Sequence, residues 1–266
     1  MSAIFILNGQ VDVSLISTIR DLHRRRARER RALALAEGIR LLEEALDAGV
    51  SIQGAAVAPA LEATARGDTL KRRLVGLGVP LEAVEDSLLA ELADTEHPQG
   101  VVAVVEPPSW EPTDIVPSPA GVVLVLDGVQ DPGNVGALAR TALAFGAKGL
   151  IALPGTGDLW SPKALRGAMG AMFRLPAVPM SIASLVEWAR KEQLELWTSS
   201  TTGTAVGEVE RRGPVALVVG NEGAGISPDL EAVADRRVTV PIASAVESLN
   251  VAVAAGILLY EVTRVR

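Results

Sequence analysis

Apolar and polar positions divide this chain into two halves with different rhythms. In the second half, five apolar runs stand unbroken: "VVLVL" (122–126), "GLIAL" (149–153), "LELWTS" (194–199), "VALVV" (215–219) and "RVTVPI" (237–242). Helical stretches lie between them. Strands apolar on every position, alternating with helices, predict a parallel sheet covered on both faces. In the first half, "GIRLLEEALDAG" carries Ile39, Leu42, Ala45 and Leu46 at helical spacing. "SIQGAAVA" (51–58) and "GVVAVV" (100–105) read as short strands. A small α/β module is therefore expected first. Between the halves, "EPPSWEPTDIVPSPAG" (106–121) holds five prolines and no apolar period, the mark of a linker. The boundaries read as a first domain over 1–106, a linker over 107–119 and a second domain over 120–266.

Composition narrows the chemistry. Hydrophobic residues make up 48% of 266 residues, enough for a sizeable core. The chain has no cysteine, which removes disulfides, thiolate zinc sites and cysteine nucleophiles. The apolar run from Leu249 to Tyr260 is too short to span a bilayer and includes Asn250. No leader pattern opens the chain. A soluble, cytoplasmic protein is expected, with no membrane partner.

The formal charge of −7 argues against a nucleic-acid partner when taken as an average. It hides "RDLHRRRARERR" (20–31), an arginine-rich helix with seven arginines against Asp21 and Glu29. A solvated helix face explains such a run, and so does phosphate binding. Arginine's planar fork suits phosphate, and lysine is absent from the run. Arg24, Arg25, Arg26 and Arg28 are candidate phosphate contacts.

In a parallel sheet, ligands bind beyond the carboxyl ends of the strands. After "VVLVL" comes Asp131-Pro132-Gly133-Asn134, read as a turn, then a helix from about Val135 to Phe145 that carries Arg140. After "LELWTS" comes "STTGT"; after "VALVV" comes "GNEGAGIS"; after "RVTVPI" comes "ASAVESLN". Each loop alone is ordinary turn chemistry, and Ser248 alone is a plausible helix cap. Together they place Gly, Ser, Thr and Asn along one sheet edge and suggest a small-molecule pocket. No dinucleotide fingerprint, phosphate-binding P-loop, hydrolase elbow or zinc-protease motif occurs. The two histidines, His23 and His97, both precede the linker.

Three segments in order, "DPGNVGALARTALAFGA", "LVVGNEGAGIS" and "VPIASAVESLNVAVAAGILLYE", resemble the signature motifs of the SpoU/TrmH branch of the SPOUT RNA methyltransferases. "DLWSPKALRGAMGAMFRLPAV" (158–178) resembles the family's segment between the first two motifs. The likeness covers residues 120–266. The first domain resembles the small ribosomal-protein-like RNA-binding module often placed in front, on the basic helix, "AEG" (36–38) and "HPQGVVAVV" (97–105).

The resemblance implies an α/β fold whose C-terminal segment threads a deep trefoil knot. It also implies S-adenosylmethionine as cofactor with no metal, a homodimer through the C-terminal domain, and methylation of a ribose 2′-hydroxyl. It favours 23S rRNA over tRNA as substrate. A non-catalytic RNA-binding protein on the same fold is the competing reading. By the same resemblance the catalytic group comprises Arg140, Asn134, Glu222, Ser248 and Asn250. Arginine keeps its proton to beyond about pH 12, so Arg140 reads as an electrostatic clamp rather than a base. Asn134 would orient Arg140 or the RNA, and Glu222 would hold Arg140 or meet RNA. Cofactor contacts fall on Thr201, Gly220, Asn221, Ile242 and Leu249, largely through backbone. The resemblance also makes Arg24, Arg25, Arg26 and Arg28, with Lys163 and Arg166, candidate RNA contacts. Ala252 departs from the family, where Ser is common. Aromatic residues are only 3% of the chain, which disfavours a multi-base stacking platform.

Overall fold

A computed structural model describes residues 14–264. The chain forms two units. The first comprises the described residues up to Pro108 together with Trp160–Phe173, and the second comprises Ser109–Leu159 and the chain from Arg174 onward. The excursion of 160–173 into the first unit was not expected from sequence, where the linker appeared to divide the chain once.

The first unit opens with helices α1 (Leu15–Leu22) and α2 (Arg25–Arg31), where the sequence suggested a single arginine-rich helix. The chain breaks at His23 and Arg24, and Arg24 takes an extended conformation as the N-cap of α2. Arg28 explains why the break holds. It is 7% exposed, and its guanidinium donates to the carbonyls of Leu22 (2.6 Å) and His23 (2.8 Å), two acceptors that the end of α1 leaves open. Then follow β1 (Ala34–Glu37), α3 (Ile39–Asp47), β2 (Ile52–Val57), α4 (Ala65–Gly76), β3 (Leu81–Ala83), α5 (Asp86–Leu92) and β4 (Val101–Val105). The strands lie in the order β1-β4-β2-β3, and only the β2–β3 pair is parallel. Leu15, Ile19 and Leu22 of α1 bury against Leu35, Val102 and Val104.

The second unit contains β5 (Val122–Asp127), α6 (Pro132–Ala144) and β6 (Gly149–Ala152). The chain then contributes α7 (Pro162–Ala168) to the first unit and returns with β7 (Ala177–Pro179), α8 (Ile182–Lys191) and β8 (Glu195–Ala205). It ends with β9 (Val215–Gly220), α9 (Pro228–Glu231), β10 (Arg236–Thr239) and α10 (Val251–Thr263). The sheet order is β10-β8-β9-β5-β6-β7, and every pairing is parallel. This is the doubly covered sheet that the unbroken apolar runs predict. Val123, Val125, Ala216 and Val218 share one face with Leu185 of α8 and Leu230 of α9. The intervening Leu124, Leu126, Leu217 and Val219 are equally buried, on the side where α6 and α10 pack.

Three local readings change. Helix α6 begins at Pro132, not Val135. Asp131 is its N-cap, accepting from the Asn134 amide at 3.0 Å, and proline is at home in a first turn. The last strand stops at Thr239, so Val240, Pro241 and Ile242 belong to the loop. Strand β8 pairs with β10 through Thr198↔Arg237 and resumes at Thr204↔Val238, so residues 199–203 bow out of the ladder. The second half of the proline-rich stretch packs on the second unit. Ile115 is 2% exposed, and a methyl group on Gly149 would lie 2.7 Å from its side chain. Among the described residues, no helix is long and apolar enough to cross a membrane.

Arg211 ties the ends of the second unit together. Its guanidinium donates to the carbonyls of Gly213 (2.8 Å), Val262 (3.0 Å) and Gly121. Burial draws its pKa downward, with Glu195 opposing. Arg211→Ala strands these carbonyls and should cost about 3 kcal/mol of stability. A urea melt should show a lower midpoint at unchanged slope, and Arg211→Lys should recover part of the loss because it keeps the charge but not the fork.

Candidate active site

The carboxyl ends of β8, β9 and β10 open into a crevice of about 330 Å³. Its walls come from the bowed segment of β8 (Ser199, Ser200, Thr201), the loop after β9, the loop after β10, and the start of α10. Three of the four loops named in the sequence contribute, because parallel strands deliver their carboxyl ends to one edge; the turn after β5 does not line the crevice. Thr201, Gly220, Asn221, Glu222, Ile242, Ser248 and Leu249 all line it. So do Val238, Ile226 and Leu258, which sequence reasoning passed over because nothing marks an apolar strand end or helix turn as a wall.

The floor is a closed glycine loop. The Asn221 and Gly225 backbones exchange two hydrogen bonds of 2.9 Å. The Asn221 side chain closes the same loop: its oxygen accepts from Gly223 and Ala224 at 2.9 Å each, and its NH2 donates to the Gly128 carbonyl at 2.9 Å. Asn221, expected as a cofactor contact, thus lines the crevice with its side chain fully engaged in shaping it. Gly220 must be glycine here. A methyl group on it would lie 2.5 Å from both the carbonyl carbon and oxygen of Gly225. Asp127 anchors the far end of the loop, its buried carboxylate accepting from the Ser227 amide at 2.7 Å. Its place at the end of β5 was the available signal for this residue.

At the rim, three segments far apart in sequence meet in one chain of hydrogen bonds. The Asn134 NH2 donates to Glu222 Oε1 at 2.5 Å, and the Asn250 NH2 donates to Asn134 Oδ1 at 3.2 Å. The Asn250 oxygen caps α10, accepting from Ala252 (2.9 Å) and Val253 (3.4 Å). Asn250, not Ser248, is therefore the helix cap. Ser248 is exposed, lines the crevice, and makes no hydrogen bond among the described residues. Its hydroxyl is left available to a ligand.

Arg140 lies elsewhere. It is exposed on α6, does not line the crevice, and has no ion-pair partner among the described residues. On an ideal helix, six residues separate it from Asn134 by about 9 Å of rise and about 120° of rotation. Glu222 and Asn134 are bonded to each other and not to the Arg140 of the same chain, which leaves the other expected role of each, a contact with RNA.

The expected RNA contacts in the first unit are dispersed. Arg28 is buried and caps α1, so it is removed from the RNA-facing set. Arg166 is held by Glu37 (3.3 Å) and Asp94 (2.5 Å), neutralising a Glu37 side chain that is 4% exposed. Arg24 pairs with Asp21 and Arg25 with Glu29. Asp21 also takes Arg30 and Arg31, and the hydrogen bond from Arg24 is the main influence holding its carboxyl below the usual range. Arg26 and Lys163 are exposed.

A parallel sheet with a backbone-lined crevice and a polar rim of Asn, Glu and Ser defines a small-molecule-dependent α/β enzyme. The family model "SpoU rRNA Methylase family" matches residues 121–260, and "MRM3-like substrate binding domain" matches 14–103. The chain is 33% identical over 240 residues to the 23S rRNA (guanosine(2553)-2′-O)-methyltransferase RlmP of Bacillus subtilis, covering 90% of this chain and 92% of that one. Among solved structures, the SpoU methyltransferase AviRb of Streptomyces viridochromogenes, in complex with the cofactor AdoMet, aligns with a TM-score of 0.85. Its identity is 29%, over 93% of this chain and 96% of that one. The AdoMet-bound rRNA methyltransferase of Sinorhizobium meliloti aligns at 0.82, with 30% identity and 93% of each chain covered. The chain belongs to the SpoU methyltransferase family and carries an N-terminal substrate-binding unit.

Gly220→Ala tests the crevice floor directly. The added methyl must displace the Gly225 backbone, and AdoMet (S-adenosylmethionine) affinity should fall by roughly tenfold or more, equivalent to about 1.4 kcal/mol. Calorimetric titration reads the affinity, and circular dichroism should show the fold retained.

Proposed function

We propose that this chain is an S-adenosylmethionine-dependent methyltransferase acting on a ribose 2′-hydroxyl of 23S rRNA in the cytoplasm, as a homodimer. The observation that carries this reading is the free Ser248 hydroxyl beside a backbone-lined crevice, with the Glu222–Asn134–Asn250 relay at its rim. The crevice fits the cofactor by chemistry. Apolar Ile242, Leu249 and Leu258 offer walls for a purine, and loop backbone supplies the polar contacts a base edge needs. When bound, S-adenosylmethionine supplies an activated methyl group on a sulfonium whose departure leaves a neutral thioether.

The remaining work falls to this chain. The ribose hydroxyl must be held in line, and negative charge growing on its oxygen must be stabilised. Ser248 can hydrogen-bond that hydroxyl, and Asn250 and Asn134 fix the rim around it. Arg140 supplies permanent positive charge. Thr201, Gly220, Asn221, Ile242 and Leu249 form the cofactor-binding set, with Asn221 acting through the shape of its loop. The trefoil threading of the C-terminal segment is part of the same reading, supported by a crevice walled jointly by residues 199–201, 220–226 and 238–258.

The dimer reading is supported by α10. Its buried side carries Val251, Ala255, Leu258, Leu259 and Val262, while Val253, Ile257 and Tyr260 stand 53%, 38% and 49% exposed at helical spacing. A helix apolar on both sides calls for a second cover. Helix α6 packs against α10, with Phe145 edge-on to Tyr260 at 6.1 Å between ring centroids. Arg140, exposed on α6 and absent from the crevice of its own chain, would on this reading serve the crevice of a second copy. In the first unit, exposed Arg24, Arg25 and Arg26 provide long-range attraction for RNA, together with Lys163.

The test is transfer of labelled methyl from S-adenosylmethionine to unmodified 23S rRNA and to unmodified tRNA. Label should enter the rRNA, and Arg140→Ala should lower the rate by about a hundredfold or more with cofactor affinity unchanged. Mixing Arg140→Ala with Ser248→Ala chains should restore activity if Arg140 serves its partner's crevice. Label in tRNA alone would reassign the substrate, and label in neither would leave a binding protein.

A further inference from the structure

The first unit holds a cavity of about 810 Å³ between the start of α3, the segment before β4 and the end of α7. We propose that this cavity receives one extruded nucleotide of the RNA substrate, with the neighbouring phosphate on Arg40. The inference rests on the functional reading above and adds to it the place where the first unit grips RNA.

Charge accounting picks out the site. An arginine already held by a carboxylate must give up that partner before it can bind phosphate, so uncommitted arginines are favoured. Arg20, Arg66, Arg72 and Arg73 are paired with Glu91, Glu43, Asp68 and Asp47. Arg24, Arg30 and Arg31 are paired with Asp21 of α1, Arg25 with Glu29 of its own helix, Arg28 is buried on carbonyls, and Arg166 is held by Glu37 and Asp94. Among the described residues of this unit, Arg26 and Arg40 are the arginines without such a partner. Arg26 stands on the outside of α2, whereas Arg40 lies at the cavity. The arginine-rich run that draws the eye in the sequence is thus net positive, but most of its guanidinium groups are already tied up in pairs with carboxylates or on carbonyls.

The rest of the lining suits a base. Ile39, Leu41 and Met169 give apolar walls, and the volume lies in the range of small-molecule sites, roughly 300–1,000 Å³. His97 is exposed and has no hydrogen-bond partner among the described residues, so its ring is available for stacking. The Gln99 oxygen accepts from the Ile39 amide at 3.0 Å, which fixes the side chain and leaves its NH2 to donate. The lining also carries Glu37 and Glu96, of which Glu37 is paired with Arg166; the apolar walls with one stacking ring, one oriented amide and the uncommitted Arg40 suit a single unstacked nucleotide. A chain with so few aromatics has no broad stacking platform and must read bases singly.

The experiment uses the full-length chain and unmodified, transcribed 23S rRNA. Filter binding across a salt series is compared for wild type, Arg40→Glu, Arg40→Lys and Arg26→Glu. Arg40→Glu should weaken binding roughly tenfold or more and lower the salt slope by about one. Arg40→Lys should recover much of that, and Arg26→Glu should weaken binding far less. Unchanged S-adenosylmethionine affinity in Arg40→Glu checks that the chain is folded. Cross-linking with 4-thiouridine-substituted rRNA should label the peptides that carry His97 or Met169. Wild-type rRNA binding with Arg40→Glu unaffected, or cross-links confined to residues 20–31, overturns this inference while sparing the enzyme reading. Failure of the wild type to bind or methylate any RNA overturns both.

Discussion

The crevice depends on one side-chain relay, Glu222 to Asn134 to Asn250. Its bonds join segments 88 and 116 residues apart in sequence. Asn134 sits in the first turn of α6, Glu222 in the loop after β9, and Asn250 at the cap of α10. The amide is suited to this place because it donates on one side and accepts on the other. A carboxylate at 134 would face Glu222 with like charge, and an apolar residue would leave both neighbours unpaired. The relay also links the polar rim to the most apolar helix of the chain. The Asn250 oxygen caps α10 while its NH2 reaches Asn134, so the burial of α10 in the core positions the rim.

Around that relay, the loops are stiffened by backbone closure rather than by bulk. Asn221 spends its whole side chain on Gly128, Gly223 and Ala224, and Gly220 has no room for a methyl group. Asp127 and Ser227 pin the loop to the end of β5. These contacts leave backbone groups and small side chains facing the crevice. Such a crevice offers a ligand shape and backbone polarity in place of a cluster of charged side chains. The permanent charge of Arg140 stays outside this cage, exposed on α6.

The two units manage charge in opposite ways. The crevice of the second unit is lined by two carboxylates, Glu222 bonded to Asn134 and Glu231 to Arg237, with the Ser248 hydroxyl left open. The first unit is dense in arginine, yet nearly every guanidinium there is matched by a carboxylate or a carbonyl. Asp21 alone takes Arg24, Arg30 and Arg31. This matching reconciles an acidic chain with an RNA partner, since a few uncommitted cations can guide a polyanion where a bare cluster would repel itself.

The sequence by itself determined five of the six strands of the second sheet, missing the short edge strand β7, and the edge on which the ligand site lies. Unbroken apolar runs such as "VVLVL" and "VALVV" can only be doubly covered parallel strands, and the loops rich in Gly, Ser and Asn follow their carboxyl ends. These are local, periodic signals, and the three quoted motifs also carried the family. What only the tertiary structure decided is who bonds to whom. Ser248 and Asn250 are both good helix caps by residue type, and the packing of α10 gave the cap to Asn250 and left Ser248 free. Arg28 and Arg40 are equally cationic in the sequence, but one is buried on the end of α1 and the other stands open beside a cavity. Excursion of residues 160–173 into the first unit, and with it the pairing of Arg166 with Glu37 across 129 residues, leaves no periodic trace. Hydrophobic rhythm fixes which face of an element is buried, whereas a hydrogen bond or ion pair depends on a neighbour that the fold alone supplies.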